Sequence, residues 1–90
     1  MSRDSQNRIF VGNLSFATTA DELQIAAEKF GSTVWARVCV DLTDPDRPSR
    51  GFGFIEAKTE LDAEAIVARL HGFELDGRAL HVDWSLPNPG

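Results

Sequence analysis

Residues 50–57 read Arg-Gly-Phe-Gly-Phe-Ile-Glu-Ala, with glycine and phenylalanine in alternation. Successive side chains of a strand point to opposite faces, so Phe52, Phe54 and Glu56 share one face, and Gly51, Gly53, Ile55 and Ala57 the other. Glycine inside a strand costs stability and is found where a helix or another backbone comes close. The Gly53 face is therefore the side against which something packs. The phenylalanines fall on the opposite side, although a phenylalanine in a strand is usually a core residue.

The rest of the chain supplies the partners. Arg8 to Gly12 alternates around Ile9, Phe10 and Val11 and reads as a short strand, with Leu14 to Thr18 a loop after it. Thr19, three residues ahead of Glu22, has the spacing of a capping box, and Leu23, Ala26, Ala27 and Phe30 follow with helical periodicity. Gly31 is expected to end that helix with a permissive backbone. Thr33 to Asp41 reads as a second strand, with Val34, Ala36, Val38 and Val40 facing inward and Trp35, Arg37 and Cys39 outward. Residues 41–49, with Pro45 and Pro48, form a long connection to the third strand, Gly51 to Ala57. A second helix starts near Thr59, with Asp62 at the capping-partner position and Ala63, Ile66, Val67 and Leu70 on its apolar stripe. Turns at Gly72 and Asp76-Gly77 precede a fourth strand, Arg78 to Trp84, with Leu80 and Val82 inward.

The order is strand, helix, strand, strand, helix, strand. This predicts an α+β, ferredoxin-like βαββαβ fold: a four-stranded antiparallel sheet with two helices on one face. Residues 8–86 form the domain, with 1–7 and 87–90 as flexible tails. One side of the sheet is left open. If the phenylalanines pointed to the helices, Ile9, Val11 and Ile55 would all face solvent and the helices' apolar stripes would meet glycine and arginine. Phe10, Phe52, Phe54 and Trp35 therefore lie on the open face, and such a cluster of exposed aromatics calls for a partner.

Two segments carry a family resemblance. Ile9-Phe10-Val11-Gly12-Asn13-Leu14 and Arg50-Gly51-Phe52-Gly53-Phe54-Ile55-Glu56-Ala57 resemble the paired hexamer and octamer signatures of the RNA-recognition motif, at matching places on the two middle strands. The likeness extends over roughly residues 8–86 and is nearest to small single-domain RNA-binding proteins. It implies binding of single-stranded RNA, or ssDNA, in post-transcriptional RNA regulation. It also implies that Phe10 stacks one base, Phe54 the next, Phe52 meets the intervening sugars and Arg50 meets the phosphate. Arg8, Trp35 and Arg37 join the candidate set on the open face, with Trp35 either extending the platform or folding over the sheet edge. His81 and Asp83, on strand four, either select bases or are solvated polar residues, and Ser85 and Leu86 follow them. Asn13 completes the RNA-binding set, although loop bonding also explains an asparagine there. The octamer departs from the family at Ala57, where an aromatic is usual; Trp84, of inward parity, is expected to fill that volume.

Bulk properties limit the alternatives. Ninety residues, 42% apolar and 26% charged, suit one packed unit. The single Cys39 excludes an internal disulfide, and His71 and His81 lack ligand-like spacing, so no metal or cofactor is expected. No apolar run is long enough to span a membrane, and residues 1–7 lack the apolar stretch of a secretory signal. The expectation is a monomeric, soluble, cytoplasmic protein that is not an enzyme, since no phosphate-cradling loop or paired cysteines occur. The net charge of −5 opposes simple phosphate attraction. Six of the acidic residues, Asp21, Glu22, Glu28, Glu60, Asp62 and Glu64, lie on the helices, away from the open face. The alternative function is a protein-interaction module that uses the helical face and Phe73.

Overall fold

The computed structural model describes residues 7–15, 17–39 and 51–85. Its elements are β1 (Arg8–Leu14), α1 (Ala20–Glu28), β2 (Thr33–Cys39), β3 (Gly51–Ala57), α2 (Glu60–Leu70), β4 (Glu74–Leu75), β5 (Arg78–Ala79) and β6 (His81–Trp84). Four strands form one antiparallel sheet in the order β2-β3-β1-β6. Ile9, Val11, Ile55 and Val82 from the sheet share a single buried cluster with Leu23, Ala26 and Ala27 of α1 and Ala63, Ile66 and Leu70 of α2. Both helices thus cover the same face, as the parity of the strands requires. The connection 41–49, Val40, Arg50 and the expected tails, apart from Asn7, fall outside the described residues.

Four local expectations are revised. Val34 was expected inward but is 56% exposed. The β2–β3 register pairs Thr33 with Ala57 and Trp35 with Glu56, so Val34 is the extra residue of a bulge and Thr33 takes the inward position. A second bulge lies in β1, where Gly12 and Asn13 together oppose Phe52. Asn13 takes a left-handed φ of 62°, which asparagine tolerates, and the kink turns Leu14 inward to complete the core instead of beginning a loop. The expected fourth strand is split at Leu80. Arg78–Ala79 pair with Glu74–Leu75 across the Asp76-Gly77 turn, whose two central residues both have positive φ, and His81–Trp84 pair with β1.

Gly31 is the fourth revision. It does not end α1 with a left-handed backbone, because the positive-φ glycines among the described residues are Gly72 and Gly77. A side chain at Gly31 would put its Cβ 2.7 Å from the Asp62 carbonyl oxygen, so this glycine lets the turn after α1 touch the first turn of α2. Side-chain caps fix both ends of α1 and the start of α2. Thr19 and Glu22 close the expected reciprocal box at 3.1 Å each. Thr59 caps α2, but Asp62 accepts from the Ser32 N–H and the Thr59 hydroxyl. Glu28 accepts from both the N–H and the hydroxyl of the buried Thr33.

Trp84 is half-buried against the core, consistent with inward parity. It sits on β6, with β1 between it and β3, while the buried Ala57 is paired with Thr33 on the other side. The assignment of Trp84 to the Ala57 space therefore has no ladder neighbourhood behind it.

Two stability predictions follow from these contacts. The Cβ of Gly53→Ala would overlap the Arg37 carbonyl oxygen and lie 3.2 Å from Leu23 Cδ2 and 3.3 Å from Leu14 Cδ1. A loss of at least about 1–3 kcal/mol is expected, read as a lower urea midpoint at unchanged slope. Hydrogen bonds from Thr33 hold the Glu28 pKa below its ordinary 4.5, and those from Ser32 and Thr59 hold Asp62 below 3.8. Carboxylates depressed in the folded state stabilise it above their unfolded pKa values, and that contribution is lost as pH falls through the folded ones. Thermal melts from pH 6 to pH 2 should therefore show a smaller acid-side drop in the Glu28→Gln, Asp62→Asn double variant than in the wild type.

Candidate nucleic-acid interface

Strand register arranges the helix-free face in three rows. One row crosses the sheet as Trp35, Glu56 and Arg8. The next runs Arg37, Phe54, Phe10 and Asp83. The third holds Cys39 and Phe52, with the bulge at Gly12 beyond them and His81 beside it. Every described candidate chosen from the sequence lies in these rows except Asn13, which sits in the bulge.

The three phenyl rings are contiguous. Phe10 and Phe52 lie 6.2 Å apart at 25°, Phe10 and Phe54 5.8 Å apart at 67°, and Phe52 and Phe54 5.9 Å apart at 88°. These spacings are those of favourable aromatic pairs, so the rings hold one another in place without a helix above them. Phe52 is 39% exposed, and Phe10 and Phe54 are half-buried. Gly12 assists the placement: a Cβ there would be 3.0 Å from the Phe10 ring edge. The bulge thus contributes twice, turning Leu14 into the core and leaving room for Phe10.

Beside this platform lies a basic aromatic group. The Arg37 guanidinium is 5.0 Å and the Arg8 guanidinium 5.5 Å from the centre of the Trp35 ring, both within cation–π range. Trp35 is half-buried and does not hang free at the edge. Together with Phe54 and Ser85 these residues line a depression of about 430 Å³. Arg8 reaches Glu56 at 3.5 Å, and with their side chains 47% and 23% exposed respectively the pair is weak, about 0–1 kcal/mol.

The remaining candidates have other engagements. Asn13 donates to the Ala79 carbonyl at 2.8 Å and accepts from Arg78 at 2.9 Å, so both halves of its amide fasten β1 to the β4–β5 hairpin. Asp83 accepts from the Trp84 N–H at 2.7 Å. His81 is exposed and lies 5.3 Å, edge to face, from His71. His71 Nδ1 accepts from the Val82 N–H, which puts the proton of the neutral ring on Nε2. Sequence reasoning missed His71 as a support for His81 and Arg78 as the partner of Asn13. Both contacts link residues whose spacing has no local periodicity, and neither had a signal to find. Arg50 lies outside the described residues.

Comparison with known proteins agrees with this geometry. Residues 9–81 match the family model of the RNA recognition motif. The chain is 39% identical over 91% of its length to glycine-rich RNA-binding protein 1 of Mycosarcoma maydis, and 38% identical over 90% to the chloroplastic 29 kDa ribonucleoprotein A of Nicotiana sylvestris. It spans 46% and 29% of those two relatives. The solved structure of RNA binding protein PG1 superposes with a TM-score of 0.74 at 35% identity, covering 92% of this chain and 98% of that one. The sheet, its helix-free aromatic face and these matches together make the chain a member of the RNA-recognition-motif family.

Proposed function

We propose that this domain binds single-stranded RNA on the open face of the β2-β3-β1-β6 sheet, with Phe10 and Phe54 as base platforms and Phe52 against the sugars. The observation that carries the reading is the unbroken set of three phenyl rings on a face that no helix among the described residues covers. Every base has a π-face, so such rings hold RNA with little regard to sequence, at about 1–3 kcal/mol per base. Its relatives' names point the same way: one is called an RNA-binding protein and another a ribonucleoprotein. Arg50 is assigned to the phosphate on the family pattern alone.

The helical face offers less. Phe73, the anchor a docked peptide would need, has its ring 5.8 Å from Phe30 and 5.4 Å from the Lys29 ammonium, and it packs against the core. A binding module acting as a monomer, without catalysis, accounts for the site. The free, exposed thiol of Cys39 suits a reducing compartment, the cytoplasm or an organelle such as that named for the Nicotiana relative. No helix among the described residues is long and apolar enough to cross a membrane.

Two stacked bases supply about 2–6 kcal/mol, whereas a micromolar complex needs about 8 kcal/mol. The balance must come from hydrogen bonds and a few phosphate contacts, and affinity is expected to be micromolar or weaker. Against a randomised RNA pool, Phe10→Ala combined with Phe54→Ala should weaken binding by about thirtyfold or more. Unchanged binding by the folded double variant overturns the mechanism. In an acidic protein with two or three phosphate contacts, log affinity should fall with log salt at a slope of about −2, at roughly −0.7 per contact. A slope steeper than about −4 would mean that phosphate attraction and not stacking dominates.

A further inference from the structure

We propose that His71 is a proton-operated latch on β6, the edge strand that carries His81 and Asp83. In an antiparallel ladder alternate residues bond to the neighbouring strand, and the N–H groups of Val82 and Trp84, like that of Leu80 just before β6, bond away from β1. A row of free groups of this kind is a template for unwanted strand pairing. Here each one is taken. The Leu80 N–H donates to the Phe73 carbonyl at 2.9 Å, the Val82 N–H to His71 Nδ1 at 3.0 Å and the Trp84 N–H to Asp83 Oδ1 at 2.7 Å.

The three acceptors respond differently to a proton. A backbone carbonyl does not titrate, and a carboxyl group keeps an accepting oxygen even when protonated. An imidazole with a second proton is a donor at both nitrogens, so its Nδ1–H would confront the Val82 N–H. The middle bond of the edge therefore exists only while His71 is neutral. His71 is exposed at the C-cap of α2, where a proton reaches it without prior unfolding. The charged and titratable groups of the surrounding elements are Arg69 on α2, Glu74, Asp76 and Arg78 on the β4–β5 hairpin, and His81 and Asp83 on β6. Thr18 bonds to Asp76, Asn13 to Arg78 and the Trp84 N–H to Asp83. The His81 ring is in edge-to-face contact with His71 at 5.3 Å, so a proton on each ring sets like charges side by side and adds to the opening. Because Asp83 is the ladder partner of Phe10, the latch acts on the flank of the aromatic face.

The test follows the Val82 amide by NMR and hydrogen exchange from pH 8 to pH 5 in the wild type, His71→Asn and His71→Leu. Asparagine keeps a carbonyl oxygen as an acceptor that does not titrate, and leucine keeps none. In the wild type the Val82 amide shift should follow the His71 ring titration. Its exchange, corrected for the intrinsic effect of pH, should quicken by about fivefold on acidification, as expected for the loss of one neutral hydrogen bond. The Leu80 and Trp84 amides, whose acceptors persist, should change less. His71→Asn should keep Val82 protected across the range, and His71→Leu should leave it fast-exchanging already at pH 8. Thermal melts identify a variant that fails to fold, and the wild-type titration then decides the matter. A Val82 amide that ignores the His71 titration, or that is equally acid-sensitive in His71→Asn, overturns the latch.

Discussion

Leu23 of α1 and Leu14 of β1 close on the middle of β3 at the point where Gly53 has no side chain, and the β2 backbone passes on the same side. The missing atoms allow the helix layer to settle against the sheet. Once Gly53 faces the helices, the two-residue period of the strand turns Phe52 and Phe54 outward, and the ladder with β1 brings Phe10 to the same face. Hydrophobic burial on one side of the sheet therefore sets the aromatic platform on the other. The same layer packing buries Ile9, Val11, Ile55 and Val82 completely or nearly so.

A platform of this kind must be stiff to hold a base without a further ordering cost, and the hydrogen bonds outside the ladders serve that end. Glu28 and Asp62 fix the turn between α1 and β2 from two helices at once. Asn13 and Arg78 tie the β4–β5 hairpin to the bulge of β1, and the Thr18 hydroxyl bonds to Asp76 in that hairpin's turn at 2.7 Å. Apart from Glu28 with Thr33, five residues away, these bonds link segments far apart in the chain, and they lie around the rim of the sheet, leaving its centre to the rings.

Electrostatics divides the molecule in a way that net charge conceals. Acidic residues crowd the helices, where Asp21 and Glu22 in α1 and Glu60 and Asp62 in α2 also suit the positive helix starts. The open face retains Arg8 and Arg37, both over an indole. An acidic RNA-binding domain is consistent physically because stacking acts at contact and is insensitive to the distant field, whereas screened repulsion from the helix side fades within about 10 Å at moderate salt.

The alternation around Phe52 and Phe54, the helical spacing of Leu23, Ala26 and Ala27 and the Thr19 cap were enough to indicate the element order, the sheet's buried side and the face that the three phenylalanines share. Each depends on neighbours within a few residues, where backbone geometry dictates direction. Trp35 and Arg37 were placed on the correct face by the same parity, but whether the indole lay at the edge or within the platform depended on Arg8, which reaches it from a strand two positions away in the sheet. The bulges at Val34 and Asn13 were decided only in the tertiary structure, because an extra residue in one strand exists only relative to the register of its partner. Gly31 shows the same division. Its lack of a side chain is a sequence fact that suggests a helix stop, but its use as the point where α1's turn meets α2 follows from how the two helices lie on one sheet.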